Sequence, residues 1–290
     1  MPAGGLREVR LASPRGELAA LRGGTAGGPR LLCLHGWLDN AASFLPLAAE
    51  LPEFDLVALD LPGHGASAHR APGHDYAFAD WIHDVLDALD DLGWDRVDLL
   101  GHSMGGAIAC AVAAAAPARV RRLALVEALG PVAGDPAAAG TRLREAVAAR
   151  RALAGRPPRV IPDIDTAVAA RLAASRMTPE AARLIVERNL RRVEGGHAWR
   201  SDPRLTLPSQ LRMTEDTVQA MLRAIDAPVL VVAAEPSPPY FSPAVRTARL
   251  ACLADGRLDV VAGGHHLHME QAPRVAAPLR RFLLDPAAGG

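Results

Sequence analysis

The chain has 290 residues, half of them hydrophobic, and its 32 basic and 32 acidic side chains give a formal net charge of zero. A chain of that length buries a full core and suits one large α/β domain or a domain carrying an insertion, while the balanced charge offers no basic surface for nucleic acid. The opening Met1-Pro2-Ala3-Gly4-Gly5-Leu6-Arg7-Glu8 lacks the basic segment and apolar run of an export signal, and no apolar stretch is long enough to span a bilayer, so a soluble, cytoplasmic protein is expected.

In chain order, short β-like runs alternate with longer helical ones, the pattern of a largely parallel sheet covered on both faces. Residues 18–21 read as an early edge strand, 31–34 as a buried strand ending at His35-Gly36, and 56–59 as another ending at Asp60. A helix is expected over 42–51 with Asp39 or Asn40 as its cap. Phe78, Ile82, Val85, Leu86 and Leu89 are spaced as the apolar stripe of a second helix. Residues 97–100 read as a strand, a helix follows to about 116 before Pro117, and 123–126 is the next strand.

From 131 to about 222 the alternation stops. Helix-like segments at 143–153, 166–175 and 179–193 are separated by Gly155-Arg156-Pro157-Pro158 and by Gly195-Gly196, with no convincing strand. Thr178 before Pro179 and Glu180 has the form of a capped helix start. After Arg223 the β pattern returns, with a strand at 229–233, a helix around 244–253, a strand at 258–261 and a final helix near 274–284. The expected organisation is a core of 1–130 and 223–290 carrying an all-helical cap, 131–222, over the carboxyl ends of the strands, where open α/β sheets bind ligands. Cys33, Cys110 and Cys252 lack metal-like spacing and read as buried, reduced thiols.

The pentapeptide Gly101-His102-Ser103-Met104-Gly105 sits where the strand at 97–100 turns into a helix, the context of a nucleophile elbow. A bare G-x-S-x-G string also occurs as a glycine-rich helix start, so its weight comes from that context. A serine at its ordinary pKa is a poor nucleophile without a base in hydrogen-bond reach. Gly263-Gly264-His265-His266-Leu267-His268-Met269-Glu270 leaves the last strand, and His265, first after the glycine pair, is the leading base, with His266 and His268 as alternatives. Apart from Glu270 no nearby carboxylate supports a metal there, and none is expected. Glu127, at the end of the strand at 123–126, is the candidate acid, which gives the chain order Ser103, Glu127, His265 for nucleophile, acid and base.

These motifs, with His35-Gly36-Trp37-Leu38-Asp39, Asp60-Leu61-Pro62-Gly63-His64-Gly65 and Glu127-Ala128-Leu129-Gly130-Pro131, make the chain resemble the α/β-hydrolase superfamily. Within it, the chain is most similar to the serine hydrolase-like proteins of the capped, lipase- and epoxide-hydrolase-like branch. The resemblance implies Ser103 as nucleophile, His265 as base, and the backbone N–H groups of Trp37 and Met104 as an oxyanion hole, with no cofactor. His64 is expected to make a structural hydrogen bond, and Trp199 or Arg200 either to roof the acyl pocket or to serve packing.

One departure stands out. Many relatives carry the acid as an aspartate shortly after the strand equivalent to 229–233, but here the sequence is Ala234-Glu235-Pro236-Ser237, with Ser237 at that aspartate's place. A neutral hydroxyl does not stabilise an imidazolium as a carboxylate does, so Glu127 or, as competitor, Glu235 has to supply the charge. Serine in the elbow argues against epoxide opening or dehalogenation, which need a carboxylate nucleophile. Hydrolysis of a small-molecule carboxylic ester is the expected activity. Carbon–carbon bond hydrolysis and a catalytically idle binding scaffold are the alternatives.

Overall fold

The computed structural model of the chain describes residues 5–153, 155 and 159–285; the opening residues 1–4 and the predicted break at Arg156-Pro157-Pro158 lie outside them. The first half runs β1 (Arg7–Leu11), β2 (Leu18–Gly24), β3 (Arg30–Leu34), a 3-10 turn at Ala41–Phe44, α1 (Leu45–Ala49), β4 (Asp55–Leu59), α2 (Asp80–Asp91), β5 (Val97–His102), α3 (Met104–Ala115) and β6 (Val120–Val126). An inserted, mainly helical region follows: α4 (Ala139–Leu153), α5 (Ile164–Ala174), α6 (Pro179–Asn189), a hairpin of β7 (Leu190–Val193) and β8 (Gly196–Trp199), and α7 (Glu215–Arg223). The chain then completes the sheet with β9 (Val229–Glu235), α8 (Pro243–Leu250), β10 (Gly256–Ala262), α9 (Leu267–Glu270) and α10 (Ala272–Leu283).

Among the described residues, eight strands form one sheet in the order β1-β2-β4-β3-β5-β6-β9-β10. The β1–β2 and β2–β4 pairs are antiparallel and all others parallel. The near-continuous apolar runs of the central strands follow from cover on both faces. Leu32, Leu99, Leu123 and Val231 point toward α2, α3 and α7, packing with Val85, Ile108 and Leu222. Their neighbours Leu31, Leu100, Ala124 and Val232 point the other way, onto α1 and α10, with Leu47, Leu279 and Phe282. The period of two along each strand thus feeds two separate cores.

Helix α3 lies against the strand ends because its first turn has almost no side chains. A Cβ on Gly105 would stand 2.0 Å from the Leu34 carbonyl oxygen, and one on Gly101 2.4 Å from the Gly106 Cα. Both obstacles are backbone, so neither can swing aside.

Four expectations need correction. The strand at 18–21 is not the edge, because β1, which alternation alone did not reveal, pairs outside it. The predicted helix at 42–51 is split into the 3-10 turn and α1, with Asn40 rather than Asp39 accepting from the Ala42 N–H. The inserted region is not all helical: the predicted helix at 179–193 ends at Asn189, and β7 turns through Glu194-Gly195 into β8. The hairpin strands are only four residues each, too short for a periodic signal. Cys33 and Cys110 are buried, as expected, whereas Cys252 is only half-buried. Among the described residues no helix is long and apolar enough to cross a membrane.

The inserted region is bound to the sheet by buried charge. Arg188 of α6 pairs with Asp60 at 2.7 Å and with Glu8 at 3.0 Å, and Arg171 of α5 donates to Asp39 at 2.5 Å. Glu270 accepts from the Thr178 N–H at 2.7 Å, at the start of α6, where a negative charge is favoured.

We expect Gly105→Ala to lower folding stability by about 3 kcal/mol, read as a fall in the urea unfolding midpoint. An unchanged midpoint would show that α3 can rise off the sheet without loss.

Candidate active site

The site is assembled by strand register. In β5, β6 and β9, His102 pairs with Val126 and Val126 with Val232, so their carboxyl ends stand side by side. One residue past β5 is Ser103 with φ +50°, and one past β6 is Glu127 with φ +56°. Positive φ costs a side-chain-bearing residue on the order of 1–3 kcal/mol. Cross-strand bonds hold both: the Ser103 N–H donates to the Val126 carbonyl and the Glu127 N–H to the Val232 carbonyl, each at 3.0 Å. Each turning residue therefore gives its N–H to the next strand as the chain leaves the sheet.

Beyond β10, the Gly263 N–H donates to the Glu235 carbonyl at 3.1 Å and directs the following loop inward. His265 Nε2 then lies 3.0 Å from Ser103 Oγ, and its Nδ1 lies 3.3 Å from Glu127 Oε2. The Glu127 side chain is buried, and its Oε1 accepts from the Ala234 N–H at 2.5 Å. The competing carboxylate points elsewhere. Glu235 is exposed, 3.7 Å from Arg246, and accepts from Ser237 Oγ at 3.4 Å.

Trp37 follows a turn held by a neutral histidine. His35 Nδ1–H donates to the Gly36 carbonyl at 2.8 Å and its Nε2 accepts from the Leu61 N–H at 3.0 Å. Burial pushes the His35 pKa down to about 4, which keeps both roles available at neutral pH. Met104 opens α3, so its N–H has no acceptor within the helix. The Trp37 side chain is half-exposed, and its Nε1–H donates to the Leu205 carbonyl of the inserted region at 2.9 Å.

The whole central span, residues 29–271, matches the family model described as alpha/beta hydrolase fold. The chain belongs to the α/β-hydrolase family. Among curated relatives of this hydrolase-family protein, the serine hydrolase-like protein of Danio rerio is 28% identical across 95% of this chain and 88% of its own. A crystal structure of a hypothetical protein from Pseudomonas aeruginosa PAO1 superposes with TM-score 0.89 at 42% identity, covering 95% of this chain and 98% of that one. An esterase of Mycobacterium tuberculosis superposes with TM-score 0.74 at 25% identity, covering 96% and 92% respectively.

In this α/β-hydrolase scaffold the two alternative bases do not reach the serine. His266 Nε2 is 3.3 Å from Asp39 Oδ2, and His268 is wholly buried behind the site with its ring 4.0 Å from that of His102. His102 Nε2–H donates to the carbonyl of His265 at 2.9 Å, linking the strand-to-helix turn to the loop that carries His265. Although burial opposes it, contacts with His102 and His266 and the charge of Arg171 hold Asp39 well below the usual carboxylate range. Burial likewise lowers His102 to about 4 and His64 to about 3. His64 Nδ1 faces the Pro62 carbonyl at 3.2 Å, the structural bond expected of it.

Trp199 packs into the inserted region's own core with Ile161, Val168 and Leu190. Arg200 donates to the Leu190 carbonyl at 3.0 Å, and Arg204 pairs internally with Asp202 at 2.5 Å. Trp199 is thus a packed side chain, and Arg200 bonds a backbone carbonyl of the same region rather than an aspartate. One neighbour of His265 was not legible in the sequence: Tyr240, whose Oη is 3.3 Å from His265 Nδ1. It belongs to no motif, and its only signal was its place just beyond Ser237.

His35, His64 and His102 gain protons near pH 6.5 when unfolded but only near 4, 3 and 4 when folded. The unfolded chain binds more protons between those limits, so stability should fall as pH drops from about 6.5 to about 4. Urea midpoints measured across that interval should decline, with a shallower slope in His64→Asn. A midpoint that holds steady would contradict the buried neutral state.

Proposed function

We propose that this protein is a serine hydrolase that cleaves a carboxylic ester through an acyl-enzyme intermediate. The carrying observation is the continuous contact Ser103 Oγ to His265 Nε2 to Glu127 Oε2, at 3.0 and 3.3 Å. In this reading Ser103 is the nucleophile, His265 the base and Glu127 the acid. Residues 1–130 and 223–290 form the catalytic core, and 131–222 form the cap. The similarity to serine hydrolase-like proteins and to an esterase supports the same class.

In the first step His265 Nε2 takes the Ser103 proton as Oγ bonds the acyl carbon, and the carbonyl electron pair moves onto oxygen. The N–H groups of Trp37 and Met104 receive that oxyanion, a term of about 3 kcal/mol per donor in comparable sites. The intermediate collapses, and the alcohol leaves with the proton from Nε2. Water then gives a proton to His265 and attacks the acyl-enzyme, and Ser103 departs with that proton as the carboxylic acid forms. Glu127 faces the imidazolium in both halves. The half-exposed Trp37 indole and Met104 at the elbow favour an uncharged acyl group.

A series of p-nitrophenyl esters of increasing chain length should be turned over, and a fluorophosphonate should label the protein, with both activities lost in Ser103→Ala. Glu127→Gln should lower kcat on the order of a hundredfold or more, whereas Glu235→Gln should leave it in place. The reverse pattern would transfer the acid's role to Glu235. A folded protein that neither turns over nor labels would refute the hydrolase reading.

A further inference from the structure

Ser237 leaves the usual acid position neutral, yet the same loop still sends a polar group to the base. Four prolines, at 236, 238, 239 and 243, stiffen the loop. The buried Phe241 anchors it, with its N–H donating to the Pro238 carbonyl at 2.9 Å. Tyr240 is thereby held with its ring edge-on to His265, centroids 6.2 Å apart and planes at 80°. Its Oη stands 3.3 Å from Nδ1, as far away as Glu127 Oε2.

Both contacts are longer than the roughly 2.7–2.9 Å of a strong charge-assisted hydrogen bond. Glu127 cannot readily close the gap, because its side chain is buried and its other oxygen is engaged by the Ala234 N–H. A phenol can accept as well as donate. Tyr240 is half-exposed, yet partial desolvation and the neighbouring Glu127 charge raise its pKa, so the phenol stays neutral at working pH.

We propose that Tyr240 is a positioning residue that shares with Glu127 a bifurcated hydrogen bond from His265 Nδ1–H, and so keeps Nε2 unprotonated toward Ser103. The proposal rests on the hydrolase reading above. No proton moves at Tyr240: the proton in transit passes from Ser103 Oγ to Nε2, and the phenol only accepts from Nδ1–H. Its contribution grows as the ring becomes an imidazolium and Nδ1–H becomes a stronger donor. The loop that carries Ser237 therefore still supplies an oxygen to the same nitrogen.

Tyr240→Phe keeps the ring and removes only the oxygen. It should leave KM unchanged, lower kcat about threefold to tenfold, and move the acid limb of the kcat/KM profile to lower pH, because an acceptor that favours the charged ring is gone. The loss factor should be larger in a Glu127→Ala background, where the phenol is the oxygen left to orient Nδ1. The low-field proton NMR signal of Nδ1–H should also shift in Tyr240→Phe. An unmoved acid limb with equal loss factors in both backgrounds, or an unmoved Nδ1–H resonance, would overturn the proposal and leave Tyr240 a packing residue. Failure of the hydrolase reading looks different: the native protein would resist fluorophosphonate labelling, while the resonance comparison would still decide for or against Tyr240.

Discussion

The parallel register of β5, β6 and β9 is the constraint on which the rest of the structure depends. It lets two side-chain-bearing residues leave adjacent strands with positive φ, each donating its N–H to the neighbouring strand. Without those two bonds the strain at Ser103 and Glu127 would relax, and neither side chain would rise above the sheet edge toward His265. The close seat of α3 belongs to the same arrangement, because Gly101 and Gly105 bring the helix start onto the strand ends. The contacts of Ser103, His265 and Glu127 thus depend first on backbone geometry and only second on side-chain chemistry.

Around that edge, buried charge joins the inserted region to the sheet. Asp39 and Asp60 are wholly buried in the loops after β3 and β4, and each meets an arginine from the inserted helices. Such pairs add little net stability over apolar packing, but losing one partner strands the other's charge. They therefore favour one seating of α5 and α6 over its alternatives. Asp39 does more than pair with Arg171, since it also faces His102 and His266 beside the segment that presents Trp37. Seating the cap and shaping the candidate oxyanion turn are coupled through one carboxylate.

The elements that the sequence revealed are those with strong periodic or compositional signals. The buried strands at 31–34, 97–100 and 229–233 read as apolar runs, and the elbow as a strand, a glycine-flanked serine and a helix. Thr178 was legible as a cap because its side chain can accept from the N–H three residues on, as it does from Ala181. The β7–β8 hairpin escaped because four-residue strands carry too little alternation, and β1 because its outward residues are charged. Asp39 looked like a helix cap from its local sequence, and only the folded chain brought Arg171 and His266 to it.

By itself the sequence determined the fold class, the serine at a strand-to-helix turn, and a small set of histidines and carboxylates that could serve it. These are local matters, decided by residue type and short spacing. The choice of Glu127 over Glu235 as the partner of His265, and the arrival of Tyr240 at the same nitrogen, were decided only by tertiary structure. Those groups are separated by many residues along the chain. Their distances depend on which strands lie side by side and how each turn leaves the sheet, and no short stretch of sequence encodes that.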